Sequence, residues 1–133
     1  MWRRPWIVLW VVVADICANL VSYLLREAVG RTRPPLVHPH PKPLVPTPHS
    51  GSFPSGHATV SFACATVVAA IAPRLALPCY LLAAAIAFSR VYVGVHYPLD
   101  VIGGAALGLL IGAAVRALRR HVRGRRRSLP ATQ

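Results

Sequence analysis

Acidic side chains are almost missing from this 133-residue chain, in which Asp15, Glu27 and Asp100 are the only three. So few carboxylates cannot build the oxygen-rich cages that hold hard divalent cations. Lysine is nearly absent as well, with Lys42 standing against fourteen arginines. Cysteine is sparse: Cys17, Cys64 and Cys79 each sit inside an apolar run. An odd number without ligand spacing gives neither a disulfide framework nor a metal centre, so they read as small packing residues. Charge of either sign makes up only 14% of the chain against 55% hydrophobic residues. That leaves too little polar surface to solvate a globular domain of this size.

The formal net charge is +12, and a strongly basic chain first suggests nucleic acid or an acidic membrane surface. A nucleic-acid reader carries its basic face on a folded, partly polar body. Here the basic residues cluster at the chain ends and beside three short motifs, with apolar sequence between. The partner this pattern implies is a lipid bilayer, not nucleic acid.

Four apolar stretches follow one another: Trp6–Leu25, Ala58–Ala72, Leu75–Phe88 with an extension to Val95, and Val101–Val115. The first reaches the roughly 20 residues that span a bilayer. It is also longer than a secretory h-region and has no small-residue cleavage site behind it, so it reads as a retained helix rather than a signal peptide. The other three are shorter, but Pro54, Pro73, Pro78 and Pro98 punctuate them as helices. The expected fold is all-α, a membrane-embedded bundle of four transmembrane helices over residues 1–120, followed by a basic cytoplasmic tail at 121–133. With the N-terminus in the cytoplasm, Arg3, Arg4, Arg74 and the seven arginines from Arg116 to Arg127 lie inside, ten of the fifteen basic residues. This satisfies the positive-inside rule and places the protein in the cell membrane with both termini cytoplasmic. Residues 34–54 hold eight of the thirteen prolines together with His38, His40 and His49. Such a run favours extended chain and builds no core. It reads as an external loop ordered at its ends, its histidines solvated for want of Cys, Asp or Glu beside them.

Three polar clusters interrupt the apolar sequence, and the topology brings all of them to the outer face. Arg26 to Pro34, with Arg31 and Arg33 inside it, ends the first helix. Pro54-Ser55-Gly56-His57 starts the second. Ser89-Arg90, then five residues, His96, then three, Asp100, spans the end of the third and the start of the fourth. Arg26, Arg33 and Arg90 are forked donors matched to phosphate oxygens. Ser55 and Gly56 precede a helix, whose free N–H groups favour an anion. Asp100 follows His96 by four residues, so its carboxylate can hold one imidazole nitrogen as N–H and leave the other as an attacking lone pair. His57 remains as the proton donor to a leaving oxygen. Three cations and a helix terminus can stabilise phosphoryl-transfer charge without a metal or other cofactor.

The pattern basic-x6-Arg-Pro, Pro-Ser-Gly-His and Ser-Arg-x5-His-x3-Asp resembles the three signature motifs of the type 2 phosphatidic acid phosphatase superfamily. That family includes membrane lipid phosphatases and soluble vanadium-dependent haloperoxidases. The resemblance covers residues 26–100 and implies hydrolysis of a lipid phosphomonoester or pyrophosphate through a phosphohistidine. It implies His96 as nucleophile, Asp100 as its orienting group and His57 as acid, with Arg26, Arg33, Ser55, Gly56 and Arg90 on the phosphate. The implied substrates are polyprenyl pyrophosphate, a polyprenyl sugar phosphate, phosphatidate or phosphatidylglycerol phosphate. Two departures stand out. The family usually has Lys where Arg26 stands, and its membrane members usually have six helices where this chain has room for four. The missing N-terminal pair would leave a flank for a second copy or a partner's helices. A non-catalytic, subunit-dependent membrane partner that keeps the motifs is the alternative reading. A vanadate enzyme is the other, against which the apolar helices speak.

Two further features lie within the bilayer. Asp15, Asn19, Ser22 and Arg26 share one face of the first helix by their spacing, as expected of an interhelical hydrogen-bond stripe. Asp15 lies about 16 Å below Arg26, too deep to reach the phosphate. Gly104, Gly108 and Gly112 recur every fourth residue, a spacing that lets helices approach closely, either within the bundle or between copies.

Overall fold

A computed structural model describes residues 5–38, 40 and 42–128. Arg3 and Arg4, which enter the topology argument, lie outside them, as does the end of the basic tail. The described chain is helical: α1 (Pro5–Val29), a single turn α2 (Pro34–Val37), α3 (Gly56–Ile71), α4 (Ala76–Tyr92) and α5 (Pro98–Ser128), with a 3-10 turn at Pro73–Leu75. No strand occurs among the described residues. α1, α4 and α5 carry stretches long and apolar enough to cross a membrane, while α3 is shorter at 16 residues. α5 continues unbroken through residue 120 to Ser128, so the basic stretch begins as helix.

The shortest of the four long helices, α3, occupies the middle of the bundle. α3 packs against α1, α4 and α5, whereas α1 and α4 lie on opposite flanks and do not meet. Its sequence explains this placement. Ala58, Thr59, Ala63 and Ala65 are small enough for neighbours to approach from several sides, and all are buried. In lipid there is little hydrophobic drive between helices, so dispersion at close backbone approach holds them together.

The glycine stripe of α5 faces α3. A Cβ added to Gly104 would stand 2.6 Å from the Ser55 carbonyl oxygen, and one on Gly112 2.6 Å from Thr66 Cβ. One on Gly108 would run into the Thr59 carbonyl oxygen. The stripe is therefore used within the chain, not left over for a second copy. Gly108→Leu is expected to abolish the α3–α5 seam, giving a protein that melts at markedly lower temperature in detergent; an unchanged melting curve would contradict the packing described.

The polar stripe of α1 differs from expectation. Asn19 Nδ2 donates to the Asp15 carbonyl oxygen (3.1 Å) and to Asp15 Oδ1 (3.3 Å), and Ser22 Oγ donates to the Asn19 carbonyl oxygen at 3.1 Å. These bonds stay inside α1 rather than joining two helices. Side chains four apart on one helix satisfy each other before a neighbour is needed.

Candidate active site

The chain enters and leaves the helices so that the C-terminal ends of α1 and α4 and the N-terminal ends of α3 and α5 share one end of the bundle. There a cavity of about 200 Å³ is lined by Arg26, Arg33, His57, Arg90 and His96, with Val45, Pro46, Pro48, Ser50 and Val95. Five of the eight residues singled out in the sequence thus meet around one space. Charge is costly anywhere in hydrocarbon, so the polar clusters collect where the helices emerge from it.

Arg33 is the centre of the arrangement. It is 3% exposed, yet its guanidinium is fully engaged. Nε donates to the Ser50 carbonyl oxygen at 2.9 Å, and Nη2 donates to Ser50 Oγ (3.3 Å) and the Gly51 carbonyl oxygen (3.2 Å). Nη1 donates to the Val95 carbonyl oxygen at 3.0 Å and lies 3.2 Å from His96 Nε2. An arginine has no acceptor, so Nε2 must carry the lone pair and Nδ1 the hydrogen.

His96 sits in the turn between α4 and α5, outside the helices, and is buried. Burial, reinforced by the Arg33 charge and opposed by Asp100, lowers its pKa to about 4. The imidazole is therefore neutral near neutral pH.

Asp100, 0% exposed, stands behind it in the first turn of α5. The expected His96–Asp100 hydrogen bond is not closed: Nδ1 and Oδ2 are 3.6 Å apart, and Nδ1 has no other partner. The carboxylate is held elsewhere. Oδ1 accepts from Arg31 Nη1 at 2.9 Å, and Oδ2 accepts the Tyr97 backbone N–H at 2.9 Å. Arg31 also lies over the Tyr97 ring, 4.4 Å from its centroid. The sequence counted Arg31 among the outer basic residues and gave it no role. Its partner is 69 positions away, and no periodicity reports so distant a pairing.

The Pro-Ser-Gly-His turn places Gly56 beneath Arg26. A Cβ at Gly56 would lie 2.6 Å from Arg26 Nη1, so only glycine leaves this guanidinium its seat over the helix start. Ser55 is buried with Oγ unpartnered. Its backbone N–H donates to the Asp100 carbonyl oxygen at 2.9 Å, so that group is not offered to an anion, contrary to expectation. Gly56 and His57 begin α3, where first-turn N–H groups have no acceptor in their own helix. Arg90 is steadied by its neighbour, Nε and Nη2 each donating to Ser89 Oγ at 3.2 Å. His57 is exposed at the cavity mouth, outside the apolar stretch 58–72. Partial desolvation, then Arg90, Arg26 and Arg33, lower its pKa.

The proline-rich segment is more than an external loop. Besides accepting from Arg33 it is tied down by Leu44 N–H to the Val93 carbonyl oxygen (3.2 Å) and Ser52 N–H to the Arg31 carbonyl oxygen (2.8 Å). It forms one wall of the cavity. Proline's missing N–H leaves extended chain with free carbonyls, and the arginine donors use carbonyls of this segment. Among the described residues no three His, Cys, Asp or Glu side chains come together to hold a metal ion.

Fold and site together define a helical membrane protein with a cation-lined, anion-sized cavity at one end of its bundle. The chain belongs to the PAP2 superfamily, whose profile matches residues 6–123. It is 41% identical over 113 residues to a decaprenylphosphoryl-5-phosphoribose phosphatase of Mycobacterium tuberculosis, a match covering 85% of this chain and 60% of that protein. It is 30% identical over 105 residues to an undecaprenyl-diphosphatase of Bacillus subtilis, covering 79% of this chain and 54% of the relative. Among solved structures it is similar to a transmembrane PAP2-type phosphatidylglycerolphosphate phosphatase from Bacillus subtilis. The TM-score is 0.74 at 30% identity, over 91% of this chain and 63% of that one. The chain spans about 60% of the length of the first of these curated relatives.

Proposed function

We propose that this protein is a membrane lipid phosphatase that hydrolyses a phosphomonoester or pyrophosphate of a lipid, without a metal, at the cavity described above. The observation that carries the reading is the convergence of Arg26, Arg33, His57, Arg90 and His96 on one space. Membership of a family whose named relatives are lipid and polyprenyl phosphatases supports it.

In this reading phosphate oxygens take over Arg33 Nη1, which releases the His96 Nε2 lone pair. Nε2 forms a P–N bond as the P–O bond to the lipid breaks, and His57 gives its proton to the departing oxygen. Water then attacks phosphorus with His57 accepting a proton, and the P–N bond breaks. The arginines hold the charge of the transferring phosphoryl group, whose transition state needs electrostatic stabilisation more than covalent help. Asp100 closes on Nδ1–H as the imidazole gains charge, a movement of tenths of an ångström from 3.6 Å. The scarcity of carboxylates supports a reaction that proceeds in chelator. The placement of basic residues supports a plasma-membrane protein with cytoplasmic termini and the cavity on the outer face.

Phosphate release from lipid phosphates in detergent with chelator present tests the proposal; absence of release from polyprenyl pyrophosphate, polyprenyl sugar phosphate, phosphatidate and phosphatidylglycerol phosphate alike would refute it. The pH dependence has a definite sign. The kcat/KM profile reports the free enzyme, so His96 protonation sets an acid limb near its value of about 4. Loss of the His57 proton sets the alkaline limb, below the ordinary histidine value. Bound phosphate offsets the three arginines, so the kcat profile extends further toward alkaline pH than that of kcat/KM. Identical alkaline limbs in the two profiles would contradict this assignment.

A further inference from the structure

At the end of the bundle away from the phosphate cavity, a second cavity of about 400 Å³ is lined by Ala70 of α3 and by Arg119, Arg120, Arg123 and Gly124 of α5. Helix lengths account for the hollow. α3 ends at Ile71 after 16 residues, about 24 Å of helix. α1 and α5, with 25 and 31 residues, continue past it and leave a notch over Ala70.

Depth follows from the same count. Arg119 comes nineteen residues after Asp100, and Trp6 twenty before Arg26, about 28 and 30 Å along their helices. That is one hydrocarbon thickness. With the phosphate cavity at one membrane face, this cluster stands at the headgroup level of the other.

Its charge is unbalanced. Arg116, Arg119, Arg120 and Arg123 oppose one another at spacings of three and four residues, which is unfavourable on a helix. No acidic side chain offsets them: Glu27 and Asp100 lie at the far end, and Asp15 is nine residues deeper along α1 than Trp6. Arg119 is only 8% exposed, and its Nε has no hydrogen-bond partner. Arg119 and Arg123 both face the Trp6 ring, each with Cζ 5.2 Å from its centroid. Cation–π attraction orients the two guanidinium groups but does not neutralise them. Two forked donors fixed side by side over one ring are matched to phosphate oxygens.

We infer that this cavity binds the phosphate of an anionic membrane lipid, in the leaflet opposite the phosphate cavity, with Arg119 and Arg123 as its donors. A lipid fits better than a soluble anion because the cluster stands at headgroup depth, with Leu118 exposed beside it for the acyl chains. Basic pockets between membrane helices take such headgroups. The bound lipid ties α5 to α1 through Trp6, so it stabilises the folded bundle. The site does not depend on the chemistry at the other end.

Thermal unfolding in neutral detergent, with lipid titrated at fixed salt, tests the inference. Dioleoylphosphatidylglycerol is expected to raise the melting temperature by several degrees, and dioleoylphosphatidylcholine is not. Arg119→Lys and Arg123→Lys keep the charge but lose the fork, and each should need about tenfold or more lipid for the same shift. Arg116→Lys, outside the cavity, should stay within about twofold of wild type. Arg123 is exposed, so its variant folds whatever Arg119→Lys does. Arg90→Gln, at the other end, should keep the full shift. Equal shifts with the two lipids, or lysine variants that respond like wild type, overturn the site. Loss of the shift in Arg90→Gln moves the lipid to the phosphate cavity and also overturns it. The same shift from an equal concentration of inorganic phosphate overturns the lipid as occupant.

Discussion

His96→Ala is expected to reduce phosphate release by at least roughly 10⁴-fold, since removing a nucleophile leaves only the contribution of binding and charge stabilisation. The substitution removes the group whose Nε2 faces Arg33 at 3.2 Å across the cavity. It also removes a buried imidazole that is neutral in the folded protein, with its pKa lowered to about 4, so no uncompensated charge is left behind. The variant should fold, retain its melting temperature to within a few degrees and bind lipid phosphate. Turnover near the wild-type rate, measured as inorganic phosphate released in detergent, would show that another group attacks phosphorus.

Arg33→Lys carries the second large effect. The guanidinium serves Ser50, Gly51, Val95 and His96 at once, from a position that is 3% exposed. An ammonium group has three donors and no planar fork, so it cannot reach the same set. The Val95 carbonyl then loses its partner in a buried place, where an unsatisfied group costs about 1–3 kcal/mol, and the half-buried Ser50 and Gly51 carbonyls lose theirs at less cost. The phosphate loses the charged Nη1 donor, and loss of one donor to a developing charge typically costs on the order of 10²–10³ in kcat. Lower stability and lower kcat are expected together, read by thermal unfolding and steady-state kinetics on the same preparation. A variant with wild-type kcat would remove Arg33 from the phosphate.

The bundle was legible because two physical rules act on every residue. Apolar runs of helical length must be buried in lipid, and the prolines at 54, 73 and 98 mark where they break, while Pro78 falls in the first turn of α4. Charge excluded from hydrocarbon must gather at the ends, which is why Arg26, His57, Arg90 and His96 could be assigned to one pocket from sequence positions far apart. What stayed hidden depends on atoms rather than periods. Nothing in the spacing of Arg31 singles it out from the arginines beside it, yet it grips Asp100 at 2.9 Å. The spacing of His96 and Asp100 promised a hydrogen bond, but Asp100 is drawn to Arg31 and the Tyr97 N–H, and the gap stands at 3.6 Å. Ser55 and Gly56 point to a helix start with free N–H groups, but which of those groups is already taken is not written there: the Ser55 N–H goes to the Asp100 carbonyl oxygen. The proline-rich segment looked solvated because its composition forms no core; its carbonyls were the part that mattered, and composition does not show carbonyls.

The measurement that bears most directly on a histidine nucleophile is capture of the covalent intermediate. Protein mixed with a lipid carrying labelled phosphate is quenched in base within the first turnovers, and the labelled peptide is identified. The expected result is an acid-labile, base-stable phosphoramidate on the peptide containing His96, formed in the presence of chelator and absent from His96→Ala. Label on any other residue, or phosphate release at full rate with no labelled protein at any quench time, would contradict it.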